Sequence, residues 1–72
     1  MRIQKGTLVE VWHERSGHWI GKATKTFDTN KEEFYPLVLA QDDPVQGMSN
    51  TWYKGEPMAA RNTLCKIKIL KA

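Results

Sequence analysis

Gly6-Thr7-Leu8-Val9-Glu10-Val11-Trp12-His13 alternates with a period of two from Thr7 onward. Val9, Val11 and His13 fall on one face of a strand, and Leu8, Glu10 and Trp12 fall on the other. The second face is mixed in character, which puts Glu10 in water and Trp12 near an edge. A short run this rich in β-branched and aromatic residues predicts a strand over 7–13. Arg15-Ser16-Gly17 then reads as a turn.

Outward from this stretch, Gly6, Gly17, Gly21, Pro36, Pro44, Gly47, Gly55 and Pro57 cut the chain into short segments. That punctuation predicts strands and turns rather than long helices. A second strand is expected over 19–27, where the small residues Gly21 and Ala23 suit a strongly bent strand approached by another backbone. A third is expected over 34–40. Pro36 inside it donates nothing to a ladder, which implies an edge position, a bulge, or a strand that begins at Leu37. Residues 41–50, headed by Asp42-Asp43-Pro44, are the longest irregular stretch and a place to look for function. A fourth strand over 51–54 carries Trp52-Tyr53 and is closed by Gly55-Glu56-Pro57. Residues 58–63 can form one tight helical turn. The last strand, 64–70, sets Cys65, Ile67 and Ile69 on one face and Lys66 and Lys68 on the other. Residues 58–71 can also be read as a helix, but the alternation and the isoleucines favour the strand.

The 72 residues suffice for one domain, 1–72, with little room for a deep cavity. A hydrophobic fraction of 40% with three Trp, two Tyr and two Phe supplies enough burial to exclude a disordered chain. Eleven basic against eight acidic residues give a formal charge of +3, which permits an anionic partner. The single cysteine, Cys65, excludes an intrachain disulfide framework and fits a reducing, cytoplasmic setting, or a nuclear one in a eukaryote. Met1 to Gly6 lack the apolar core of a signal peptide, and no apolar run is long enough to span a bilayer.

Five short strands with a helical turn before the last describe an all-β, five-stranded SH3-like barrel. Gly6-Thr7-Leu8-Val9-Glu10-Val11-Trp12 resembles the opening strand of Tudor and Agenet domains. Gly17-His18-Trp19-Ile20-Gly21-Lys22-Ala23-Thr24 is similar to their second strand, and Ala60-Arg61-Asn62-Thr63-Leu64 to the short turn before their last. Pro36 and the 41–50 stretch depart from that pattern. The resemblance implies a binding module, with aromatic rings that can cage a methylated ammonium by cation–π attraction. Trp12, Trp19, Tyr35, Trp52 and Tyr53 are the rings it would use at one end of the barrel. Against that stands the need of so small a barrel for large side chains in its core.

Lys66 and Lys68 project from one side of the last strand, with Lys71 at its end and Lys22 as further candidates, and this group can grip phosphates or simply guard an edge. Catalysis is not expected: Cys65 lies in the apolar register of its strand, and no phosphate loop or nucleophile elbow is present. His13, Glu14 and His18 match no closed zinc site, so no metal or cofactor is expected. The expected function is therefore a small adaptor or inhibitor docking on a protein partner, and the alternative is a nucleic-acid-binding barrel using the lysines. A free-standing barrel of this kind is similar to small phage or bacterial accessory proteins that dock on a host machine.

Overall fold

The computed structural model describes residues 1–15, 17–40, 54–58 and 60–71. Six strands run in the order β1 (Arg2–Ile3), β2 (Leu8–His13), β3 (Gly17–Ala23), β4 (Phe27–Asp28), β5 (Leu37–Leu39) and β6 (Cys65–Lys71). The described residues contain no helix. Four of the strands form an antiparallel sheet in the order β5-β3-β2-β6, and β1 pairs with β4 in a second, two-stranded sheet.

The alternation in β2 sets the two faces of the large sheet. Val9 and Val11 point inward and are fully buried, opposite Gly21 and Trp19 of β3. Trp19 is the largest fully buried side chain. Leu37 and Leu39 of β5 and Cys65 of β6 extend this inner face, and Ile67 packs against its margin. Ile3 and Phe27, paired across β1 and β4, join Tyr35, Met58 and Ala60 to complete one core. Burying side chains of this size is the main term holding so small a domain together.

Two local devices set the geometry. Thr7 N–H donates to Gln4 C=O (3.1 Å) with Gly6 at φ 89°, a type II turn that requires glycine at its third position. It delivers β2 into its pairing with β3, where Ala23 N–H donates to Thr7 C=O. Around Pro36, Leu37 N–H folds back on Tyr35 C=O (2.9 Å), so the ladder starts only at Leu37. Of the three arrangements that Pro36 allows, this is the late start.

Some expectations change, and one falls mostly outside the described residues. The strand expected over 19–27 stops at Ala23. Thr24 turns its N–H and hydroxyl onto Pro36 C=O, and Thr26 Oγ1 accepts from Lys5 N–H, so the chain kinks and re-enters as β4 in the other sheet. In place of a helical turn over 58–63, the chain makes isolated bridges at Pro57 and Arg61 and a turn in which Leu64 N–H donates to Arg61 C=O (2.9 Å). The strand expected over 51–54 lies mostly outside the described residues. What pairs with the free side of β5 is the segment just after it: Leu39 N–H donates to Glu56 C=O, and Met58 N–H to Leu37 C=O. No closed barrel forms among the described residues, because the sheet order ends at β6 and the two sheets share no strand.

Candidate functional site

The outer face of the large sheet is built by the same register that builds the core. Opposite Trp12 stand His18 on β3 and Lys66 on β6. Opposite Glu10 stand Ile20 and Lys68. Opposite Leu8 stand Lys22 and Lys71. Three cross-strand rows thus carry four lysines, one tryptophan, one histidine and one acid. The four lysines are all exposed.

Lys71 reaches this face through an irregularity. Simple alternation from Lys66 and Lys68 would bring Leu70 to the outside and turn Lys71 inward. A register shift between Leu8 and Val9 sets Lys71, rather than Leu70, opposite Leu8.

Trp12 remains 44% exposed and packs obliquely on His18, with ring centroids 5.2 Å apart and planes tilted by 40°. His18 Nε2 lies 3.8 Å from Glu10 Oε2. The indole therefore lies supported on the sheet with part of its surface open to solvent. Two hollows lie at opposite ends of this face. A shallow groove of about 440 Å³ opens beside Trp12 and Lys66, and a smaller hollow of about 240 Å³ lies among Gly6, Leu8, Lys22 and Lys71.

The charge on this face has a simple account. Lys22, Lys66, Lys68 and Lys71 against Glu10 leave a surplus of three positive charges on this face. Elsewhere among the described residues, seven basic residues stand against five acidic ones. The face is therefore the more strongly basic part of the described surface.

The five aromatic candidates separate. Trp12 is exposed, whereas Trp19 is fully buried on the opposite face of the same hairpin. Tyr35 is also buried, stacked 5.5 Å from Phe27, with its hydroxyl donating to Thr29 C=O (3.4 Å). Burial, and then the neighbouring Cys65, push the Tyr35 phenol above its usual pKa. These two rings belong to the core, so Trp12, Trp19 and Tyr35 do not converge on a common surface. Trp52 and Tyr53 lie outside the described residues. The four candidate lysines, by contrast, share one sheet face with Trp12, Lys66 opposite it and Lys22 and Lys71 at the Leu8 end.

No family model matches the sequence, and no curated protein or solved structure does either.

Cys65 is buried, and its thiol donates to Arg61 C=O at 3.3 Å. Desolvation raises its pKa, which keeps it a thiol rather than a nucleophilic thiolate. Sequence reasoning missed the contribution of His18 and Glu10 to the Trp12 face. The signal was present in part, since alternation already set Glu10 beside Trp12. The registers of β3 and β6 against β2 were the missing information. Sequence reasoning also missed Phe34, which is 56% exposed with the Arg61 guanidinium 5.7 Å from its ring centroid. Arg61 is paired there with Glu33 at 3.0 Å, so that patch carries no net positive charge.

Proposed function

We propose that this chain is a non-enzymatic binding module that takes single-stranded nucleic acid on the outer face of β3, β2 and β6. Trp12 serves as the stacking platform, and Lys22, Lys66, Lys68 and Lys71 contact phosphates. The observation that carries this reading is the coincidence of the exposed indole with four lysines against one acid on one sheet face. A strand with exposed phosphates and unstacked bases answers both features at once, because every base has a π-face and every linkage a charge.

Docking on a protein through a cluster of aromatic rings has less support, because Trp19 and Tyr35 are core residues. The finer fold reading, a five-stranded SH3-like barrel, is supported by the order of residues 55–58, β5, β3, β2 and β6, with 55–58 in the place of a fourth strand.

The test is titration of the protein at low salt with a fluorescent single-stranded oligonucleotide, repeated with Trp12→Ala. Saturable binding that weakens at least about five-fold in the variant is expected, since stacking on one ring is worth about 1–3 kcal/mol. Equal affinity for the variant would remove Trp12 from the site, and no binding by either protein would end the nucleic-acid reading.

A further inference from the structure

The groove beside Trp12 differs chemically from the rest of the face. Trp12 and Lys66 belong to both, so the groove is a continuation of the sheet surface. Its far wall comes from the end of the β2–β3 hairpin and the turn before β6, held together by Glu14 N–H donating to Leu64 C=O (2.9 Å). At about 440 Å³ it falls in the size range of small-ligand sites, roughly 300–1,000 Å³, whereas the hollow at the Leu8 end is smaller.

The wall adds a charged acceptor. Glu14 contributes an exposed carboxylate. Asn62 commits one N–H of its Nδ2 to Glu32 C=O (3.0 Å), which leaves Oδ1 and the second N–H to a ligand. Thr63 adds a hydroxyl. A carboxylate here repels a phosphate, so the charged backbone of a bound strand stays out on Lys66 while a neutral base can enter. A base that enters meets the Glu14 carboxylate, which accepts from an exocyclic amino group and repels a carbonyl oxygen at the same position. Cytosine presents an exocyclic amino group at the position where thymine and uracil present a carbonyl oxygen, and Glu is a suitable acceptor for that amino group.

Resting on the nucleic-acid reading above, we infer that this groove reads one unstacked base of the bound strand and selects bases bearing an exocyclic amino group. Lys66 holds the adjoining phosphate, Trp12 supplies the apolar wall, and Glu14 accepts the amino N–H with Asn62 and Thr63 beside it. Selectivity then resides at one end of the face, and the rest of the face binds without regard to sequence.

Oligo-dC and oligo-dT of equal length test this, because the two pyrimidines are close in size and differ at that position. Binding of both is measured at fixed low salt and neutral pH, with the wild type and with Glu14→Ala. The expected result is about five-fold tighter binding of oligo-dC by the wild type, in line with one solvent-accessible hydrogen bond to a charged acceptor. In Glu14→Ala the ratio falls toward one while oligo-dT still binds. Equal affinities for the two oligomers in the wild type would overturn the groove assignment and leave the sheet face standing. A preference that persists in Glu14→Ala would also overturn it. Failure to bind either oligomer would overturn the face reading itself.

Discussion

Gly21 and Trp19 share the inner face of β3 so closely that a Cβ built on Gly21 would lie 2.9 Å from Trp19 Cζ3. The ring is fully buried between Val11 across the ladder and the rest of the core, so it has nowhere to retreat. Leu37 closes the other side, with its Cβ and Cδ1 each 3.6 Å away. Gly21→Ala therefore forces the ring or the strand to move and should cost about 1–3 kcal/mol, the usual penalty of overpacking. Denaturant unfolding of the variant measures this, and a midpoint equal to the wild type would contradict the packing described.

The two tryptophans of the hairpin should separate stability from binding. Trp19→Ala empties the centre of the core and should cost about 3–5 kcal/mol, enough to unfold much of a domain this small. Trp12→Ala removes a half-exposed ring and should cost about 1 kcal/mol or less. Circular dichroism melts of the two variants check the contrast, and equal destabilisation would mean that Trp12 is also a core residue.

That contrast also marks where the sequence stopped being legible. In β2 the alternation of Val9 and Val11 against Leu8, Glu10 and Trp12 separates the faces without help. In β3 one face holds Trp19, Gly21 and Ala23, and the other holds His18, Ile20 and Lys22. Neither is plainly apolar, so only the register across the hairpin decides which turns inward. The ends of strands were hidden for a similar reason. The kink at Thr24 depends on hydrogen bonds to Pro36, and the pairing of residues 55–58 with β5 depends on partners far apart in the chain. Lys71 required a bulge that alternation does not announce. Mild basicity and the grouping of lysines on the last strand were visible in the sequence, but their alignment in rows with Trp12 across β3, β2 and β6 was not.

The lysines should report through salt. Removing one lysine–phosphate pair lowers the slope of log affinity against log salt by about 0.7 for a single strand. Lys66→Ala and Lys68→Ala should each reduce the slope by about that amount, and together by about twice it. Lys31→Ala, an exposed lysine in the turn after β4, should leave the slope unchanged. An equal effect from Lys31→Ala would indicate diffuse attraction rather than a defined face.

Alkaline pH should destabilise the fold before it disrupts any surface pair. The Cys65 thiol and the Tyr35 phenol titrate above their ordinary values of 9.0 and 10.0, in both cases because burial disfavours the charged form. From about pH 9 upward the unfolded chain releases protons that the folded chain still holds, so stability falls as pH rises toward the folded values. Below about pH 9 the contribution of both groups is fully present. Melting temperatures measured from about pH 8 to about pH 10 should decline, and Cys65→Ala should flatten part of the decline. An unaltered slope in that variant would contradict the role given to the thiol.

The central claim, a nucleic-acid face built on β2, β3 and β6 around Trp12, is tested most directly by an amide chemical-shift titration of the labelled protein with a single-stranded oligonucleotide at low salt. The account predicts saturable shifts at Trp12, His18, Lys22, Lys66, Lys68 and Lys71, including the Trp12 indole N–H, with Ile3 and Phe27 in the small sheet unmoved. Shifts confined to the Phe34–Arg61 surface, or none at all at saturating oligonucleotide, would contradict it.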